Sequence, residues 1–217
     1  MKNKRILITA GSTWVRIDKV RVITNIFGGR TGYYIAQRLC KNGFSVTLLL
    51  GPTRFHFSPL GGMNILRFKY FEELNSLVKK ELFKKRYIAV IHSAAISDYT
   101  PVKVYQGKIS SHRNQLNIKC KPTPKIIKEI KRIDKNVFLV QFKLEVGVNT
   151  RELLRRAYRS MLRNDADLVV ANKLEDIRGK RYKSFVMDRE KNTFSIRSHQ
   201  KLAHFLIKTI KERTELR

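Results

Sequence analysis

Five short runs in this chain are apolar at nearly every position: RILITA (5–10), SVTLLL (45–50), YIAVIHSAA (87–95), VFLVQF (137–142) and DLVVAN (167–172). A strand with one wet face alternates apolar and polar residues; a strand covered on both faces does not. Continuous apolar runs therefore demand a sheet with helices on each side, and NILRF (64–68) adds a sixth, shorter strand. Helical patterns fill the gaps at 32–42, 71–85, 123–133, 150–164 and 200–216. Leu74, Leu77, Val78 and Leu82 share one helix face, as do Leu153, Leu154, Ala157, Met161 and Leu162, and Leu202, Phe205, Leu206 and Ile210; these stripes are core faces. Pro124 sits near the start of the 123–133 helix, where proline is tolerated. A hairpin over 184–198, turning near Glu190–Asn192, precedes the last helix. Strand–helix alternation with right-handed crossovers gives the expected fold: an α/β, Rossmann-like, doubly wound, mainly parallel sheet with helices on both faces and a C-terminal hairpin plus helix, in a single domain over 1–217.

In such sheets ligands bind beyond the carboxyl ends of the strands. That rule selects GST (11–13), GPT (51–53), SAAISD (93–98) and the residues after Phe142 and Asn172. A second signal lies at RVITNIFGGRTGYYIAQRL (21–39), where Asn25 and three glycines stand between an apolar run and a helix. A glycine cluster marks a tight turn or a close approach to the backbone, and the helix start behind it is a natural seat for phosphate. On these residues alone an ordinary strand-to-helix turn fits equally well.

Forty-six Lys and Arg against 17 Asp and Glu give a net charge of +29, which attracts polyanions. The basic residues are scattered, as in KKELFKKR and RELLRRAYRSMLR, with no basic arm, so nucleic acid is not the expected partner. No apolar run reaches the roughly 18 residues of a membrane span. The basic N-terminus MKNKRILITAG lacks a long signal-peptide core and a cleavage site, and is read as leading into the first strand. Cys40 and Cys120 lie far apart without metal-site spacing, which suits a reducing cytoplasm.

A Rossmann dehydrogenase meets three objections. The first turn is AGSTW rather than G-x-G-x-x-G, and the glycines come about 15 residues late. The second strand ends in LLLGPT, with no acid for a ribose. Tyr99 and Lys103 have the spacing of a short-chain reductase pair, but Pro101 between them breaks the helix that pair needs. An NAD(P)-dependent oxidoreductase of Rossmann type and a basic polyanion-binding module stay as the alternatives.

LITAGSTWVRIDKVRVITNIFGGRTG (7–32) resembles the opening of the phosphopantothenate–cysteine ligases, whose pattern runs ITAGPT, I-D-x-V-R, then an Asn before a Ser-Ser-Gly-Lys-x-Gly turn. SAAISDYTPVKVYQGKISS (93–111), KPTPKIIKEI (121–130), VQFKLEVG (140–147) and ADLVVANKLED (166–176) resemble further blocks of that family, in the same order. The resemblance implies a stand-alone enzyme joining 4′-phosphopantothenate to L-cysteine in coenzyme A biosynthesis, with CTP or ATP activating the carboxylate through an acyl-nucleotidylate. It also implies magnesium on the triphosphate, a homodimer and a cytoplasmic setting, with no membrane partner. Carried over residue by residue, Asn25 and Lys108 are catalytic. Gly11, Ser93, Ala94, Asp98, Lys108, Pro124, Ile126 and Phe142 bind nucleotide, and Asn25, Gly28, Gly29, Arg30 and Ala95 bind substrate. Ser12 replaces a proline, Phe27–Gly28 replaces two serines, and Arg30 keeps the charge of the lysine.

The chemistry explains why such residues are wanted. Activation brings a carboxylate, a phosphate and a triphosphate together, and their repulsion calls for fixed donors and cations. Lys108 supplies a cation, Asp98 an acceptor for ribose or base, and Asn25 a neutral group that orients the acyl carbonyl. The glycines are expected to let the backbone approach the phosphopantothenate. Without the resemblance, Lys108 reads as a surface lysine, Asp98 and Asn25 as turn residues, and Phe142 as a core aromatic.

Overall fold

The computed structural model describes residues 4–53, 55, 58, 60–84, 86–112, 114–178 and 182–215. β1 (Arg5–Ala10) is followed by a small hairpin of β2 (Trp14–Arg16) and β3 (Val22–Thr24), then α1 (Arg30–Lys41), β4 (Ser45–Leu50), β5 (Met63–Arg67) and α2 (Phe71–Phe83). β6 (Ala89–His92) leads into a ribbon of β7 (Tyr99–Pro101) and β8 (Cys120–Pro122), then α3 (Ile126–Ile133), β9 (Phe138–Glu145) and α4 (Thr150–Arg163). β10 (Leu168–Lys173), the short α5 (Leu174–Arg178), β11 (Ser184–Asp188), β12 (Thr193–Ile196) and α6 (His199–Glu215) complete the order.

The main sheet runs β12-β11-β10-β9-β6-β1-β4-β5. Strands β5 to β10 in that order are parallel, and β11 and β12 add antiparallel to one edge. Numbered by appearance, the parallel strands read 3-2-1-4-5-6, the doubly wound order expected from the apolar runs. Successive side chains alternate between the two faces. Ile6, Ile8 and Ala10 pack under α1 and α6, whereas Leu7, Leu49, Val90, Leu139 and Val169 pack under α2, α3 and α4. The topological switch point, where strand order reverses, falls between β1 and β6.

Several boundaries differ from the sequence reading. β6 ends at His92, which frees Ser93–Ala95 as loop, and β9 continues three residues past Phe142 to Glu145. α1 starts at Arg30 rather than residue 32, because Gly29 in the left-handed region (φ 83°) turns the chain directly into it. α3 starts at Ile126, not 123: Thr123 is tied back to the β6 loop, its N–H to the Asp98 carbonyl (2.9 Å) and its hydroxyl to that of Ser97 (2.7 Å), so Pro124 precedes the helix. The expected ends of two helices, Lys85 and Leu216, lie outside the described residues. The hairpin turns where expected, Asp188 accepting from the Asn192 backbone and side chain (2.8 Å each). Tyr99 lies in a strand, so the Tyr99/Lys103 spacing forms no helical pair.

Candidate functional site

The loops after β1 and β6 are zipped together. Ser93 N–H donates to the Thr9 carbonyl (3.1 Å), Ala94 N–H to Thr9 Oγ1 (3.2 Å), Ala95 N–H to the Gly11 carbonyl (2.9 Å) and Thr13 N–H to that of Ala95 (3.3 Å). Ser97 N–H closes the seam on Thr13 Oγ1 (2.9 Å). Beneath this seam His92 is buried, and its Nδ1 lies 3.0 Å from Thr9 Oγ1; burial pushes its pKa down to about 4. It is neutral at pH 7.

The turn before α1 is laid over the seam. Asn25 Nδ2 donates to the Ala95 carbonyl (3.0 Å), Thr24 Oγ1 to that of Thr13 (3.0 Å) and Ser12 Oγ to that of Phe27 (2.6 Å). Asn25 is otherwise exposed. It uses one amide proton on the protein, leaving the second proton and Oδ1 for a ligand. No side chain caps α1, no acid stands in its first turn, and the exposed Arg30 guanidinium lies 3.6 Å from the centre of the Phe55 ring. Open N–H groups, a positive dipole end and an arginine converge there.

Two of the glycines are required by packing within the protein itself. A Cβ on Gly29 would stand 2.7 Å from Gly11 N, and one on Gly32 would stand 2.6 Å from both Ala10 Cβ and Ser93 Oγ. Protein occupies those spaces, so these glycines let α1 sit directly on the ends of β1 and β6. Only Gly28, whose Cβ would meet Phe55 at an ordinary 3.5 Å, carries no such demand. Likewise the N–H groups of Ser93, Ala94 and Ala95 are spent in the seam and are not free as backbone donors.

Asp98, Pro124 and Ile126 form a second group beside α3. The exposed Asp98 carboxylate pairs with Lys125 Nζ (2.5 Å). The Ile126 side chain is 1% exposed and belongs to the core, which leaves only its backbone for contact. Phe142 is half-buried on the α1/α6 face, at the rim of β9. Three residues on, Glu145 is held below the usual carboxylate range: burial pushes it up, but Lys143 and Arg156 outweigh that. Lys108 is exposed, on a loop fastened to the β2–β3 hairpin, and its ammonium forms no ion pair among the described residues. Thr13 and Ser97 fall in the selected segments 11–13 and 93–98 without being singled out, whereas Thr9 and His92, which complete the floor, were missed; a threonine and a histidine near paired strand ends were the available signal.

A doubly wound sheet with an uncapped helix start and an amide at its switch point defines the class: an α/β protein of Rossmann-like topology. Comparison with known proteins narrows this. The chain belongs to the DNA/pantothenate metabolism flavoprotein C-terminal domain family, whose pattern matches residues 1–214. The resemblance to phosphopantothenate–cysteine ligases read from the sequence is borne out at the level of family. A coenzyme A biosynthesis bifunctional protein CoaBC of Thermococcus kodakarensis is 37% identical over 175 residues, covering 81% of this chain and 42% of that protein. Its namesake in Methanocaldococcus jannaschii is 35% identical over 176 residues, 80% of this chain and 41% of that protein. The chain thus spans less than half the length of these relatives. The crystal structure of the DNA/pantothenate metabolism flavoprotein from Streptococcus pneumoniae superposes with a TM-score of 0.89 at 29% identity, covering 97% of this chain and 99% of that one.

Proposed function

We propose that this chain joins 4′-phosphopantothenate to L-cysteine in coenzyme A biosynthesis. A nucleoside triphosphate, CTP or ATP, activates the carboxylate as an acyl-nucleotidylate with release of pyrophosphate, and the cysteine amine then displaces the nucleoside monophosphate. The observation that carries this reading is the Asn25 amide, fixed on Ala95 beside the uncapped start of α1. The naming of these relatives for coenzyme A biosynthesis supports it.

In this reading the phosphate of the substrate settles at the α1 N-terminus near Arg30, and Gly28 and Gly29 shape that wall. The second Asn25 amide proton donates to the acyl carbonyl, while Oδ1 accepts an N–H of the attacking amine. Lys108 neutralises charge developing at the α-phosphate. Asp98 takes up ribose or base hydroxyl or amine protons once Lys125 gives way, Phe142 lies against the base, and Gly11, Ser93, Ala94 and the Pro124–Ile126 backbone line the nucleotide side.

Among the described residues no three His, Cys, Asp or Glu side chains gather to hold a metal ion. A magnesium ion fits as the companion of the triphosphate, held by its oxygens and water, where it offsets phosphate charge.

We also read the chain as a homodimer working in the cytoplasm. Val20 (66% exposed) on the β2–β3 hairpin, Ile26 (66%) in the turn after it, and Tyr99 (61%) and Val102 (51%) on the β7–β8 ribbon put large apolar groups on the surface, more than a lone surface needs. Both ribbons are two-stranded and stand apart from the main sheet. Both cysteines are free thiols, and among the described residues no helix is long and apolar enough to cross a membrane.

The test is pyrophosphate release from the purified chain with 4′-phosphopantothenate, L-cysteine and either CTP or ATP. Release that requires the phosphopantothenate, with an amide product that requires cysteine, is expected. No release with either nucleotide would overturn the reading.

A further inference from the structure

The turn of the β2–β3 hairpin carries an acid almost wholly out of water. Asp18 is 1% exposed. Its Oδ1 accepts the N–H groups of Val20 (2.7 Å) and Arg21 (2.6 Å), which closes the turn. Its Oδ2 points elsewhere: it accepts the Ile109 N–H (3.0 Å) and Arg21 Nη1 (2.7 Å). Both Arg21 Nη1 and Nη2 then donate to the Ile109 carbonyl (3.1 Å each). One ion pair thus grips both backbone groups of a residue 91 positions from Asp18. Bonds from Ile109, Val20 and Arg21, with the Arg21 charge, hold the Asp18 carboxyl at about 2, so the pair is ionised throughout the neutral range.

The residue gripped is the immediate neighbour of Lys108. Upstream, Tyr105 N–H donates to the Ile17 carbonyl (3.0 Å) and Lys19 N–H to that of Gly107 (3.4 Å). The loop is therefore fastened to the hairpin on both sides of Lys108, while the lysine head stays in solvent. The same hairpin runs from Thr13, in the floor of the site, to Thr24, next to Asn25.

We infer that Asp18 and Arg21 are positioning residues for nucleotide activation: their ion pair clamps Ile109 and so fixes Lys108 relative to the Asn25 turn. This rests on the reading that Lys108 serves activation. A pair that served the hairpin alone would need only Oδ1, whereas Oδ2 and the guanidinium are committed to Ile109. The clamp acts through Lys108 and touches no substrate.

Asp18→Asn is the discriminating variant. An amide keeps the shape and leaves one oxygen for Val20 and Arg21, but sets an NH2 against the Ile109 N–H and the Arg21 guanidinium, three donors with no acceptor. Pyrophosphate formation is expected to slow on the order of 10- to 100-fold, the effect of a misplaced group in an otherwise intact site. Combined with Lys108→Ala, the variant should be no slower than Lys108→Ala alone, since both remove one function. A purely structural defect would multiply with the lysine loss. Amide hydrogen exchange at Ile109, read without any substrate, should quicken in Asp18→Asn. Should that variant fold poorly, Arg21→Lys, which cannot span Asp18 and the Ile109 carbonyl together, should give the same pattern. Wild-type pyrophosphate formation in a variant with quickened Ile109 exchange, unchanged Ile109 exchange in an active variant, or losses that multiply with Lys108→Ala would each sink the positioning role alone. A wild-type chain that forms no pyrophosphate with CTP or ATP would sink the functional reading and the positioning role with it.

Discussion

Acid should destabilise this protein through one histidine. His92 is 7% exposed, and burial lowers its pKa from 6.5 to about 4. The unfolded chain takes up a proton near pH 6.5 and the folded chain only near 4, so between those values the unfolded state binds more protons. Stability is therefore complete above 6.5 and falls as the pH drops. The full shift is worth about 3 kcal/mol, of which about 2 kcal/mol falls between pH 7 and pH 5. Asp18 and Glu152, held at about 2, add only a small slope near pH 5, from their unfolded carboxyls, and it is common to wild type and variant. Burial also lowers His199, but its contribution is common to wild type and variant and cancels in their difference. Urea unfolding of wild type and His92→Gln at pH 7 and pH 5 reads the effect: wild type should lose about 2 kcal/mol more than the variant. Parallel losses would refute the reasoning. The geometry adds a link to function. Thr9 Oγ1 accepts the Ala94 N–H and stands 3.0 Å from His92 Nδ1, so protonating the ring acts directly on the hydrogen bonding of the floor under Asn25.

Other outcomes follow from the same geometry. Gly32→Ala, whose Cβ would meet Ala10 and Ser93 at 2.6 Å, should cost about 1–3 kcal/mol in a thermal or urea melt. Gly28→Ala should stay within about 0.5 kcal/mol of wild type, because Phe55 stands at 3.5 Å. Asn25→Ala should leave pyrophosphate exchange intact but slow amide formation by about 10²-fold, and Lys108→Ala should slow pyrophosphate formation itself; labelled pyrophosphate exchange lost in the first and normal in the second would reverse the two roles. Light scattering should give twice the monomer mass at micromolar concentration, and Val20→Asp with Val102→Asp should return the monomer; a wild-type monomer at that concentration would count against the dimer.

The sheet was legible because burial on both faces leaves a plain mark. RILITA, SVTLLL and VFLVQF are apolar since nothing polar can sit there. Strand β9 runs past that signal because Lys143 and Glu145 lie at the rim, where charge is tolerated. The ribbons β2–β3 and β7–β8 left no such trace: they are three-residue strands, largely exposed, and Tyr99–Pro101 and Cys120–Pro122 each carry a proline that a central strand would refuse. The site was half legible. Ser93 directly follows a strand as expected and Asn25 lies in the turn before α1 as expected, but no local pattern reveals that Gly32 is set by Ser93, or that Asp18 holds Ile109. Those are pairings between residues far apart in the chain, and spacing along one segment carries no record of them.

The seam between the β1 and β6 loops has a consequence for affinity. Two loops that are laced to one another cannot drift apart in the free protein, so on the proposed function an incoming anion meets a surface already shaped. Little ordering would then remain to be done at docking, and more of the attraction would be left for holding the proposed reactants side by side.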